Sequence, residues 1–143
     1  DAEEISLLIK ACAITYEGFL LLQKNVQTGK TEKDLAKLFE RDIVDRGASG
    51  ASFDPNVSFA ENASFPHHHP AEKPLEKDTA ILVDLGAKYQ GYCADMTRVF
   101  FHGKDASQTK YLYDLVIEAY KKALSYCKEG TPISDLDSAA RES

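Results

Sequence analysis

Apolar residues fall near a 3.6-residue period at both ends of the chain, and this pattern is replaced between them by strand-like runs. Over residues 2–27, Ile5, Leu8, Cys12, Tyr16, Phe19 and Leu22 or Gln23 recur at helical spacing, with charges mostly between them. This predicts a long amphipathic helix, with Gly29 as its stop signal. Thr31 reads as an N-cap, followed by Glu32 and Asp34 in a first turn that the helix dipole favours for acids. Leu35, Leu38, Phe39 and Ile43 then make the apolar face of a second helix, which Gly47 ends. Residues 48–78 lack periodicity and carry prolines at 55, 66, 70 and 74, so an ordered loop is expected, with one short strand near 56–60. A loop this long is usually functional or disordered. Residues 79–87 and 92–101 are rich in Val, Ile, Leu, Tyr and Phe and read as strands. Residues 107–128 return to helix, with Leu112, Leu115, Val116, Ala119, Ala123 and Tyr126 as its apolar stripe. Gly130 stops that helix, and Thr131-Pro132 starts another.

Gly29, Asp34 and Leu35 recur as Gly130, Asp135 and Leu136, each displaced by 101 positions. In both places a long amphipathic helix precedes the glycine and a shorter one follows it. The expectation is a duplicated unit: a first repeat over about 1–105, and the opening helices of a second over about 106–143, cut short at Ser143.

Composition narrows the function classes. The 143 residues suffice for one domain with its own core, and 43% hydrophobic against 28% charged residues is a globular balance. A net charge of −6 argues against nucleic acid or an anionic membrane as the main partner. The longest apolar stretches, such as FLLLQ at 19–23, read as too short to span a bilayer, and no signal peptide opens the chain. Cys12, Cys93 and Cys127 are odd in number and widely spaced. They form neither a disulfide framework nor a zinc cluster, and read as reduced thiols of a cytoplasmic protein.

Two features carry chemistry. The stretch VDLGAKYQGYCADMTR, 83–98, puts Asp84 and Asp95 in two strand-like runs separated by a predicted hairpin turn. With the tip at 89–90, paired residues have numbers summing to 179, and Asp84 faces Asp95 directly; a tip shifted by one residue leaves them neighbours, less well aligned. Facing carboxylates repel, and burial makes this worse. A shared proton, a basic partner or a divalent cation would offset the cost. Arg98 is near, but strand alternation aims it away from Asp95. Carboxylate oxygens suit ions such as Mn²⁺ and Mg²⁺, and bridging carboxylates can hold two of them.

The second feature is NASFPHHHP, 62–70. Three successive histidines cannot all point the same way in an extended loop, and Asn62, His68 and His69 are expected to be solvated. His67 can donate a hydrogen bond to a substrate carbonyl as charge develops on its oxygen, with Pro66 fixing the backbone before it.

GKTEKDLAKLFE, SFDPNVSFAENASFPHHHP and ILVDLGAKYQGYCADMTRVFFHG together resemble the catalytic domain of the pita-bread metallopeptidases, most closely the Xaa-Pro aminopeptidases and Xaa-Pro dipeptidases (prolidases). The resemblance implies an α+β, creatinase/aminopeptidase-like fold, of which this chain is one half: an antiparallel sheet backed by amphipathic helices. It implies a dinuclear metal centre, with Mn²⁺ foremost and Co²⁺ or Zn²⁺ as alternatives. Asp84 and a bridging Asp95 would be two of its five ligands, and the remaining His and two Glu would lie beyond Ser143. One of those glutamates would be the general base. His67 matches the family's catalytic loop histidine, and Thr97 is expected to support a metal ligand by hydrogen bonding. The implied substrate is a peptide with proline in second position, and the implied assembly of the whole protein is a homodimer. Phe59-Ala60 and Lys77-Asp78 depart from the usual Ser-Gly and Gly-Asp of the family. A methionine aminopeptidase and a non-catalytic peptide-binding scaffold are the alternatives.

Overall fold

A computed structural model describes residues 1–104 and 107–142, which divide into two compact units, Asp1–Lys104 and Asp105–Ser143. The boundary expected between repeats falls at residues 105 and 106, outside the described ones.

The first unit opens with α1, Ala2–Lys24, whose N-terminus is closed by an Asp1–Glu4 capping box. Its buried residues are Ala11, Ile14, Thr15, Gly18, Phe19 and Leu22. The expected stripe is thus rotated: Ile5, Leu8, Cys12 and Tyr16 are exposed, and Phe19 and Leu22 alone are shared between the two faces. The period was legible but the phase was not, because both faces of α1 carry apolar side chains. For the same reason α1 is, by length and composition, long and apolar enough to cross a membrane, contrary to the expectation from shorter runs. A helix that fills a core has the same composition, and α1 packs on its own unit.

The second helix, α2, Glu32–Asp45, starts at Thr31 with a Thr31–Asp34 capping box. It ends in a Schellman arrangement, with Gly47 N–H on Val44 O and Ala48 N–H on Ile43 O. Leu35, Ala36, Phe39 and Ile43 are buried on it. The two helices meet closely where Gly18 lies under the Phe39 ring.

Six strands follow: β1 Gly50–Ala51, β2 Asn56–Phe59, β3 Thr79–Leu85, β4 Ala87–Tyr89, β5 Tyr92–Cys93 and β6 Met96–His102. They form two antiparallel sheets, ordered β1-β4-β5 and β2-β3-β6. The α+β composition and the antiparallel pairing agree with expectation. The core gathers Phe39, Ile43, Val57, Phe59, Ile81, Val83 and Leu85 between α2 and the second sheet. A buried threonine fastens α1 to the first sheet: Thr15 Oγ1 donates to Ala11 O and accepts from Ala87 N, both at 2.9 Å.

The hairpin register differs from the one expected. Tyr89 pairs with Tyr92, Asp84 with Thr97 and Thr79 with His102, so paired numbers sum to 181 through both sheets. The turn is Gln90-Gly91, with φ of +47° and +89°. Two positive φ values define the turn type that matches strand twist, and this places the glycine inside the turn, at its second position, rather than after it.

The second unit holds α3, Ser107–Tyr126, and α4, Ile133–Arg141, which pack on one another and bury Ala139. Leu112, Leu115, Val116 and Tyr126 of the expected α3 stripe are exposed, since α4 is short and covers little of it. The 101-residue offset extends to geometry: Gly29 and Gly130 have φ of +89° and +83°, and Thr31 and Pro132 stand as the N-caps of α2 and α4.

Candidate active site

Asp84 lies near the end of β3, the middle strand of its sheet. Alternation along β3 buries Thr79, Ile81, Val83 and Leu85, which turns Asp84 to the other, partly open face. Asn56 of β2 stands opposite on one side and Thr97 of β6 on the other. The result is a row of three polar residues across three strands. Thr97 Oγ1 donates to Asp84 Oδ1 at 2.7 Å. Thr97 therefore supports Asp84, on the neighbouring strand, and not Asp95 on its own.

Asp95 occupies the interruption between β5 and β6, opposite Gly86, which interrupts β3 and β4. Any side chain at 86 would collide with this crossing, because a Cβ there would stand 2.0 Å from Ala94 O and 2.9 Å from Ser52 Oγ. Asp84 and Asp95 are thus diagonal neighbours rather than a directly facing pair. They still interact. Burial first, and then the charge and hydrogen bond of Asp84, hold the Asp95 carboxyl above the usual aspartate range. Arg98 does not relieve this repulsion, since its Nη1 donates to Thr97 O at 2.8 Å.

Phe53, Asp54, Asn56, Pro66, His67, His68, His69, Asp84 and Asp95 line one cleft of about 340 Å³ in the first unit. The structure thereby brings together His67, Asp84 and Asp95, all singled out from the sequence; Thr97 reaches the group through Asp84. The histidine stretch is a turn and not an extended segment: His68 N donates to Phe65 O at 3.2 Å, which puts Pro66 and His67 at the two central positions. A turn curls successive side chains around one concavity, so all three histidines border the cleft. His67 and His69 are exposed. Asn62 and His68 are not the solvated residues expected. Both bind the buried carboxylate of Glu32, Asn62 Nδ2 at 2.8 Å from Oε1 and His68 Nε2 at 2.8 Å from Oε2.

Sequence reasoning missed Glu32 and Asn56. Glu32 reads as an ordinary first-turn acid, and nothing in its local sequence signals burial. Asn56 could have been found, because an amide inside a strand needs a partner; it donates to Pro66 O at 3.4 Å and accepts from Ser58 Oγ, tying β2 to the turn before His67.

Asp84 and Asp95 suit a divalent cation. They are hard oxygen donors, adjacent on a cleft wall, and burial followed by the charge of Asp84 raises the Asp95 pKa, a cost that a cation would offset. Among the described residues no group of three or more His, Cys, Asp or Glu side chains is arranged to hold a metal.

An uncharacterised peptidase of Staphylococcus saprophyticus is 35% identical over 138 residues, which is 96% of this chain and 39% of that protein. A counterpart from Staphylococcus haemolyticus is 37% identical over 82% of this chain and 33% of its own length. Among solved structures, the X-Pro aminopeptidase of Thermotoga maritima superimposes with a TM-score of 0.95 at 36% identity, over 99% of this chain and 40% of that one. The prolidase of Pyrococcus furiosus gives a TM-score of 0.95 at 31% identity, over 99% and 42%. The chain thus spans about a third to two fifths of the length of these relatives, and its fold is half of the α+β pita-bread domain. Residues 6–143 match the model of metallopeptidase family M24, a family whose peptidases use divalent metal, and the chain belongs to that family.

Proposed function

We propose that the whole protein is an exopeptidase that hydrolyses peptides with proline in second position, as an Xaa-Pro aminopeptidase or dipeptidase. The observation that carries this reading is the convergence of Asp84, Asp95 and His67 on one cleft, in a chain similar to an X-Pro aminopeptidase and a prolidase over nearly its full length.

In this reading Asp84 and Asp95 hold two divalent ions, Mn²⁺ foremost, together with one His and two Glu supplied beyond Ser143. Such ions supply a lowered pKa for water and positive charge where an oxyanion develops. Asp84 gives one oxygen to Thr97 and keeps its carboxylate oriented for binding. A cation bound there would offset the charge of Asp84 that helps hold the Asp95 carboxyl above the usual aspartate range. His67, on an exposed turn over the cleft, donates a hydrogen bond to the carbonyl oxygen of the scissile peptide. Its location at the second central position of a proline-led turn fixes the backbone that carries it.

The protein acts in the cytoplasm as a homodimer. The 143 residues alone, with two of five ligands, bind metal weakly and do not turn over substrate. The matched geometry at Gly29 and Gly130 supports reading the two helix pairs as copies of one unit, divided near residue 105.

The test is Asp84→Asn in the full-length protein. It is expected to remove metal occupancy and activity on Xaa-Pro peptides together, and retention of both would sink the assignment. Turnover of a Met-Ala peptide in preference to an Xaa-Pro peptide would favour a methionine aminopeptidase instead.

A further inference from the structure

Glu32 sits in the first turn of α2 and is fully buried. A carboxylate removed from water needs hydrogen bonds to replace it. Phe59 N and Asn62 Nδ2 donate to Oε1 at 2.7 and 2.8 Å, and His68 Nε2 and Ala71 N donate to Oε2 at 2.8 and 2.9 Å. All four donors belong to one segment, 59–71, and that segment contains His67. A single side chain thus grips the segment at its start, at its middle and at its end.

The fastening also runs the other way. The first N–H groups of a helix lack partners within it. In α2, Glu32 N donates to Lys73 O at 3.3 Å and Lys33 N to Ala71 O at 3.2 Å. The helix start therefore gives its free amides to the end of the loop and takes the loop's own amides on its carboxylate. The frame is rigid, since the Thr31–Asp34 capping box closes the same helix end. His67 itself has no role in this net. It is aimed by its neighbours, with Pro66 before it and His68 after it anchored to Glu32.

The geometry points to Glu32 as a positioning residue: through His68, Asn62 and two backbone amides it fixes the 59–71 loop so that His67 is presented to the cleft beside Asp84 and Asp95. This rests on the reading of His67 as the group that meets the scissile carbonyl. A carboxylate is required because it faces donors only. Glutamine of the same shape would turn an NH₂ group toward one of the two donor pairs, either Phe59 N and Asn62 or His68 and Ala71.

The experiment is made in the full-length protein. Glu32→Gln is expected to lower kcat on an Xaa-Pro peptide by about tenfold, with KM within about twofold and bound metal unchanged. His68→Ala is expected to lower kcat in the same way, and His68→Gln, whose amide still reaches Glu32, to recover most of it. Unchanged kcat in folded Glu32→Gln overturns the assignment, as does a kcat loss matched by an equal loss of metal. If Glu32→Gln does not fold, the two His68 variants decide alone, and equal kcat in both overturns it. If the wild-type protein cleaves no Xaa-Pro peptide, the functional reading fails. The brace is then judged by histidine ring ¹⁵N spectra of wild type and His68→Ala: a moved His67 signal supports it, and an unmoved one overturns it.

Discussion

Thr97 Oγ1 donates to Asp84 Oδ1 at 2.7 Å from the directly opposed position on the neighbouring strand. The bond leaves Asp84 one oriented carboxylate rather than a freely turning one. Thr97→Val keeps shape and β-branching and deletes the donor. In the full-length protein it is expected to weaken metal binding by about tenfold or more. Metal titration of the purified variant checks this, and wild-type affinity would show that Asp84 is held by other means.

The buried Glu32 makes stability depend on acid. Burial pushes its pKa up, but the hydrogen bonds from His68, Ala71, Asn62 and Phe59 together outweigh it and hold the carboxyl below the usual glutamate range. A carboxylate lowered on folding contributes stability that is present above its unfolded value, about 4.3, and lost as pH falls through the folded one. Glu32→Gln is therefore expected to cost about 2 kcal/mol at neutral pH, and the gap to wild type to narrow below about pH 4. Urea unfolding at pH 7 and pH 3.5 measures both, and a gap of equal size at the two values would exclude Glu32 as the source.

Gly86 is required by close approach. Gly86→Ala places a methyl group on Ala94 O, and backbone cannot step aside as a side chain can. The cost expected is about 3 kcal/mol, with Asp95 displaced because it adjoins Ala94. Thermal unfolding and metal content should fall together; an intact metal content would mean that the crossing relaxes without moving Asp95.

The chain by itself presents Ile5, Ile9 and Tyr16 on α1 and Tyr111, Leu112, Val116 and Tyr120 on α3 to solvent. Apolar exposure of this extent favours association. Expressed alone, residues 1–143 are expected to sediment as a dimer or larger species, and a clean monomer would count against it.

Elements were legible in the sequence wherever one local rule decided them. The Thr31 N-cap, the Gly47 stop and the strands of the hairpin each rest on residues a few positions apart. The phase of α1 was not legible, since Ile5, Leu8 and Tyr16 look as apolar as Ile14 and Leu22, and the core that chooses between them is distant in sequence. The register failed by one turn position, because Gln90 gives no sign that it adopts a positive φ. In the site, Asp84 and Asp95 stood out as charges in apolar runs. Glu32 did not, because its burial is created by a loop that begins 27 residues later.

The Gln90-Gly91 turn sets one register for two sheets, so the chain cannot vary freely in length there. One inserted residue would turn the faces of β5 and β6 over together, exchanging Thr97 for a neighbour at the position opposite Asp84. Insertions between Glu76 and Asp78 would leave every one of those pairings untouched, and would spare Leu75, whose backbone is bonded to Gly29 and Lys30. Heritable length changes compatible with this site should therefore be tolerated just before Thr79 and purged from the Gln90-Gly91 turn.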